Sequence, residues 1–274
     1  MPNSTITQCI DGISYKLKKH FDFSFLHKYG QVFKVFDKQE SGNICFGISG
    51  AEKRYFVKFA GAPTEKYFSD IPSAVSRLKD AEQVYKDLSH PNLVNLLGSE
   101  EIGDGFALIF EWTNAEVMHT DYGIENERFK QTTTEMRMRI FDDILDFHKC
   151  AVEKGYIATD FYEANIMWDF DKKETVICDI DFYSKTPWGG MTFWGNSPLS
   201  APEERIDGGI RDEITNVYNM GAIAFVLFSG GSRSIESWPL DARLYAVALK
   251  AISDERNERQ QTIKDLVFEW EAMK

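Results

Sequence analysis

Apolar and polar positions recur at two different periods along the chain, and the changes of period divide it. Ile6, Ile10, Ile13 and Leu17 stand four and three residues apart, the spacing of one helix face. An amphipathic helix is therefore expected in the first twenty residues, packed on the domain that follows. Between residues 30 and 61, three runs rich in β-branched and aromatic residues, QVFKVF, ICFGI and RYFVKF, are separated by the turn clusters DKQESGN and SGAEK. This is the pattern of an antiparallel meander. Helical spacing returns over residues 71–88, with Ile71, Ala74, Val75, Leu78, Ala81, Val84, Tyr85 and Leu88 on one face. FALIFEW, at 106–112, reads as a buried strand, and residues 136–152 read as a long helix ending in HKCAVEKG.

Residues 156–183, YIATDFYEANIMWDFDKKETVICDIDFY, contain two short strands around a DKKE turn. A hairpin there brings Asp160, Asn165 and Asp179 together at its open end. Two carboxylates and an amide are hard oxygen ligands, and such ligands suit Mg²⁺ with phosphates attached. A solvated acidic hairpin would present the same residues.

Composition narrows the partners. The chain has 274 residues, 43% hydrophobic and 27% charged, as in a soluble globular protein with one large domain or two small ones. Its net charge of −12 argues against nucleic acid and against an anionic membrane surface. Cys9, Cys45, Cys150 and Cys178 are scattered without metal-site spacing, which suggests reduced thiols and a cytoplasmic setting. MPNSTITQC lacks the basic and apolar regions of a signal peptide, and MGAIAFVLF, at 220–228, is too short to cross a bilayer.

Several stretches together resemble protein kinases, in particular bacterial-type Ser/Thr kinases with a degenerate Gly-rich loop and catalytic loop. Ala158, Thr159, Asp160, Phe161 and Asn165 stand where the family has H-R-D-L-x-x-x-N, and Asp179, Ile180 and Asp181 stand at D-F-G. A register with D-F-Y, from Asp181, is the alternative. Tyr55, Phe56, Val57 and Lys58 occupy the V-A-I-K positions, SHPNLVNLLG matches the connection after the helix called αC, and Ala201, Pro202 and Glu203 form A-P-E. DEITNVYNMG resembles the buried helix that usually begins with Asp, here Asn216, and Arg259 stands where an arginine pairs with the A-P-E glutamate.

The resemblance implies an α+β, bilobal kinase-like fold. An N-terminal helical extension (1–28) would precede a β-rich lobe with its hinge (29–113) and a mainly helical lobe (114–274), with ATP between the lobes. It implies Asp160 as acceptor of the substrate hydroxyl proton, Asn165 and Asp179 as magnesium ligands, and Lys58 on the α/β-phosphates. Glu82 is the candidate partner of Lys58, one residue from the aligned Ala81. Ser41, Gly42 and Asn43 would cover a phosphate with backbone amides. Phe110 would be the gatekeeper, with Glu111, Trp112 and Met167 around adenine. A phosphotransferase acting on protein Ser/Thr hydroxyls is the first expectation. A small-molecule kinase of the aminoglycoside or choline type is the second, and a nucleotide-binding pseudokinase the third. The departures are Thr159 for arginine, Tyr162 for the lysine two residues after the aspartate, and Asn196 for threonine. Thr159 further implies activity that does not depend on activation-loop phosphorylation.

Overall fold

The computed structural model describes residues 5–121, 124–185, 188–189 and 199–274; Asn196 and most of the segment ahead of A-P-E lie outside them. The chain is an α+β protein that separates into two compact units. One comprises Met1–Ser89 with Val94–Asn114, the other His90–Leu93 with Ala115–Lys274.

The first unit is built on a five-stranded antiparallel sheet of β3 (Gln31–Phe36), β4 (Asn43–Ser49), β5 (Arg54–Ala60), β6 (Leu96–Ile102) and β7 (Gly105–Glu111), in the order β3-β4-β5-β7-β6. Period-two alternation on β5 sends Val57 and Phe59 into a core with Ile44, Phe46 and Ile48. Phe56 and Lys58 point to the other face, where helix α1 (Ile71–Asp87) packs and Tyr85 meets Phe110 edge-on at 4.8 Å. Asp70 caps α1 by accepting the Ser73 N–H at 2.9 Å, and the helix buries Ala74, Val75, Leu78, Ala81, Val84 and Tyr85.

The expected N-terminal helix is not formed. Residues Ile6–Ile10 (β1) and Ile13–Leu17 (β2) make an antiparallel hairpin, followed by a 3₁₀ turn at Ser24–Lys28. The four apolar residues that fit a helix face also mirror one another about the turn, since Ile10 pairs with Ile13 and Ile6 with Leu17. Asp11 and Gly12 at that turn both have positive φ, 51° and 85°. Asp-Gly is the sequence that favours a type I′ hairpin turn, and its local preference prevails over the helical spacing. Residues 5–28, the described part of the expected 1–28 extension, thus form no such helix. They cover the outer face of the sheet: Tyr15, Leu17, Phe23 and Leu26 enter the same core as Phe46 and Phe59, and Phe23 lies 4.9 Å from Phe46 ring to ring.

The second unit is mainly helical. It contains the short strands β8 (Glu116–Val117), β9 (His119–Asp121) and β10 (Ile124–Glu125), then helix α2 (Thr134–Glu153). Strands β11 (Tyr156–Ile157), β12 (Ile166–Asp169), β13 (Glu174–Ile177), β14 (Ser184–Lys185), β15 (Trp188–Gly189) and β16 (Ile210–Arg211) follow, and helices α3 (Glu213–Ser229), α4 (Ala242–Ala251) and α5 (Ile263–Ala272) end the chain. α3 is apolar on all sides and accordingly buried along almost its whole length. Among the described residues no helix is long and apolar enough to cross a membrane.

Candidate active site

In the second unit the site grows from the hairpin β12–β13, paired from Ile166 opposite Ile177 to Asp169 opposite Glu174. A 3₁₀ turn, Glu163–Asn165, leads into β12, and Cys178 and Asp179 leave β13. Asn165 is the clasp between these ends. Its Oδ1 accepts the Tyr162 N–H at 2.8 Å, its Nδ2 donates to the Asp179 carbonyl at 3.4 Å, and its own carbonyl accepts the Cys178 N–H at 3.0 Å.

Asp160 and Asp179 both adopt left-handed backbone conformations, φ 64° and 56°. Neither is glycine, and such residues persist at a cost of about 1–3 kcal/mol each only where their surroundings over-determine them. For Asp160 those surroundings are visible. The preceding Ala158 has its N–H and its carbonyl both bonded to the Asn216 side chain of α3, at 2.9 and 2.8 Å. Thr159 Oγ1 donates to the Phe182 carbonyl. Phe161 lies edge-on to the imidazole of His148, at 4.6 Å between ring centres.

His148, on α2, is fully buried. Its Nδ1 pairs with the Ile144 carbonyl at 2.7 Å, which makes Nδ1 the protonated nitrogen and leaves Nε2 to accept from the Tyr183 hydroxyl at 2.8 Å. Burial disfavours its charged form and lowers its pKa to about 4. It is therefore a neutral prop inside the fold.

The electrostatics single out Asp160. Burial, then the negative charge of Asp179, then that of Glu204 push its carboxyl up to about 7. Its side chain still reaches water, which screens part of this effect. Asp179 is exposed while Asp181 is buried, and Asp179 supplies the neighbouring charge. Glu204 was not anticipated from the sequence. Its Oε2 accepts from the Ala201 N–H at 2.7 Å and from Asn219 Nδ2 at 2.9 Å, and burial raises its pKa as well. Next to it Glu203 forms a two-pronged pair with the completely buried Arg259, at 2.8 and 3.1 Å, and also accepts from Thr215. Burial alone would raise Glu203, yet the bonds from Arg259 leave it below its ordinary value.

Met167 is buried in the sheet β13-β12-β8, opposite Val117 and Val176. Among the described residues no three His, Cys, Asp or Glu side chains gather around one point. A divalent ion held by Asp179 and Asn165 would thus keep phosphate or water oxygens as most of its ligands, which suits Mg²⁺. The raised Asp160 marks an excess of negative charge at this end of the hairpin.

The first unit carries the other expected residues. Lys58 is buried, opposite Cys45 on one side and Leu108 on the other. Glu82 lies next to the buried Ala81 and accepts from Ser99 Oγ and from Lys86 Nζ, both at 2.6 Å. Ser99 faces Leu108, as Lys58 does. Two strand spacings, about 9–10 Å of backbone, separate Ser99 from Lys58 along that row. Gly42 and Asn43 are buried, and a Cβ at Gly42 would come within 2.9 Å of Ala74 on α1 and of Tyr67 just ahead of it. Arg77 donates to the Ser41 carbonyl at 2.5 Å. The tract expected to cover a phosphate is therefore tucked under the helix, with Ser41 as its accessible member. The N–H groups of Glu111 and Trp112 are both engaged, to the Asn95 carbonyl at 2.9 Å and the Arg54 carbonyl at 3.1 Å.

No known protein-family model matches the chain.

Proposed function

We propose that the protein is a Mg²⁺- and ATP-dependent phosphotransferase of bilobal, kinase-like architecture that phosphorylates a protein hydroxyl. The observation that carries this reading is the pair Asp160 and Asp179. They sit in left-handed conformations at the open end of one hairpin and are close enough for one to raise the other's pKa. Charge crowding and backbone strain together are uncommon outside functional sites.

A carboxyl near 7 is poised to accept a proton from an incoming hydroxyl at neutral pH. Asn165 and Asp179 offer oxygen donors to the ion, and Lys58 offers a cation to the α/β-phosphates. Bound Mg²⁺-ATP supplies the transferable phosphoryl group and neutralises charge around it. The chain's own task is to position these groups, which Asn216, Asn165 and His148 accomplish on the Asp160 side. A protein acceptor, and not a small molecule, is favoured by the Glu203–Arg259 pair, which anchors A-P-E as the resemblance implies for protein kinases.

The test is transfer of labelled γ-phosphate from Mg-ATP by wild type and Asp160→Asn, with protein and small-molecule products separated. Protein label that falls by about a thousandfold in the variant supports the proposal. Label in the small-molecule fraction moves the acceptor to that class, and equal counts from both proteins refute catalysis. The two bonds that engage Glu82 favour, as a second reading, a nucleotide-binding pseudokinase in which Lys58 has a different partner.

A further inference from the structure

Two asparagines on α3, Asn216 and Asn219, stand about one helical turn apart on the same face, and both are buried. Ala158 fixes the orientation of the first, because its N–H can only donate and its carbonyl can only accept. Asn216 Oδ1 therefore meets that N–H at 2.9 Å, while its Nδ2 donates to that carbonyl at 2.8 Å and on to Asn219 Oδ1 at 3.4 Å. With its oxygen so engaged, Asn219 turns Nδ2 towards the segment 199–204, where it donates to the Leu199 carbonyl at 3.1 Å and to Glu204 Oε2 at 2.9 Å. Glu204 Oε2 closes the chain by accepting the Ala201 N–H at 2.7 Å.

From Asn216 onward the bonds run in one direction, so position 204 has to carry an acceptor. A carboxylate or an amide oxygen meets that demand, and an aliphatic side chain does not. One end of the chain is Ala158, two residues before Asp160, and the other is the 3₁₀ turn Pro202–Arg205. The charge of Glu204 also bears on Asp160. Apolar groups of the same shape would fill this space at comparable stability, whereas a fully satisfied buried network makes rigid what it joins. What the polar chain adds is a fixed placement of one backbone stretch against the other.

We propose that Glu204 is a positioning residue for Asp160: through Asn219 and Asn216 it fixes the backbone on which Asp160 stands, so that the segment 199–204 and the proton acceptor are held in one geometry. This deepens the phosphotransferase reading proposed above and rests on it for the role of Asp160.

The test is amide hydrogen exchange of the full chain, resolved to Ala158 and Ala201 with the amides of α5 as control, on wild type, Glu204→Ala, Asn219→Leu and Glu204→Gln. Each protein is also assayed for γ-phosphate transfer from Mg-ATP to a Ser/Thr peptide library of degenerate sequence. Glu204→Ala and Asn219→Leu each break the chain, so exchange at Ala158 should quicken by about tenfold while α5 stays unchanged. kcat should fall by a similar factor at an unchanged KM for ATP. Glu204→Gln keeps an acceptor at position 204 and should restore both. The proposal is overturned if Ala158 exchanges as in wild type while Ala201 quickens, or if α5 quickens equally in both disrupting variants. It is overturned as well if Glu204→Gln behaves like Glu204→Ala, or if exchange at Ala158 rises with kcat unmoved. A wild type that transfers no phosphate overturns the phosphotransferase reading alone, because the exchange rates still decide whether Glu204 positions this backbone.

Discussion

Two hairpins in this chain put aspartate into the left-handed region, and they do so for opposite ends. At β1–β2 the residue is Asp11, in a turn whose geometry requires positive φ. Its carboxylate is used at once, accepting the Val32 N–H at 2.7 Å and pairing with His27 at 3.2 Å. At β12–β13 the turn residue with positive φ is Lys173, while Asp160 and Asp179 hold the same conformation outside any hairpin turn, next to each other's charge. In the first hairpin local conformation and packing agree. In the second the open end is held against its local preference by Asn216, Asn165 and α2. Packing is concentrated at one and charge and strain at the other.

The contrast breaks most visibly if the first hairpin is not a structural element. Phe23→Ala removes a fully packed ring from between Tyr15, Phe46 and Phe59 and should lower unfolding free energy by about 3–5 kcal/mol. Urea unfolding measures it. A loss below about 1 kcal/mol would mean that residues 5–28 are merely draped on the sheet.

On the other side, His148 sharpens the comparison through pH. Its folded pKa of about 4 lies below the unfolded value near 6.5. Above pH 6.5 both states are neutral and the group has no pH-dependent effect. As pH falls from 6.5 towards 4, the unfolded chain takes up a proton that the folded chain does not, and stability drops by roughly 3 kcal/mol. His148→Gln should flatten this part of the stability profile, whatever it does to stability at pH 7. An unchanged slope between pH 6.5 and 4 would show that the imidazole is not kept neutral.

How far sequence alone reaches differs between the two hairpins as well. Helical spacing of Ile6, Ile10, Ile13 and Leu17 and mirror symmetry about Asp11–Gly12 are the same four positions, so periodicity could not separate helix from hairpin. The Asp-Gly pair could, because it specifies the turn directly. On α1 the apolar face was legible because its eight positions fit one period only. The proximity of Asp160, Asn165 and Asp179 was legible because a hairpin's length fixes what its open end brings together. Glu203–Arg259 could be read only through the kinase resemblance, since 56 residues separate them. Glu204, the Asn216 clasp on Ala158 and the His148–Tyr183 bond carry no local signal, and neither does the engagement of the Trp112 N–H. Apart from the local bond of Glu204 to the Ala201 N–H, each is a long-range contact that exists only once the units are folded.

A smaller effect tests whether the open end of β12–β13 is held at a cost. Asp160's folded pKa is raised to about 7, above the unfolded value near 3.9. Below the unfolded value the carboxyl is protonated in both states and neutral in effect. As pH rises from about 4 to about 7 the unfolded chain gives up this proton while the folded protein keeps it beside Asp179, so stability falls across that window and is level above it. Asp160→Asn should therefore raise the melting temperature at pH 8 and lose that advantage towards pH 4. The carboxyl is open to water, so the gain is about 1 kcal/mol or less. A variant less stable than wild type at pH 8 would show that the charge is accommodated without penalty.

The smallest effect lies at the turn between the same strands. Lys173 has φ 58°, donates its N–H to the Asp169 carbonyl at 2.7 Å, and has an exposed side chain. Glycine adopts this conformation without the Cβ conflict, so Lys173→Gly removes strain at no cost in packing, although it frees the unfolded chain slightly. The net gain should be about 0.5 kcal/mol, with phosphoryl transfer unchanged. Asp179→Gly relieves the same conformation but removes an oxygen donor, so any stability it gains should come with loss of Mg²⁺-dependent binding. If both glycines raised stability and both left binding intact, the strain at Asp179 would be no more functional than that of a turn, and the distinction between the hairpins would collapse.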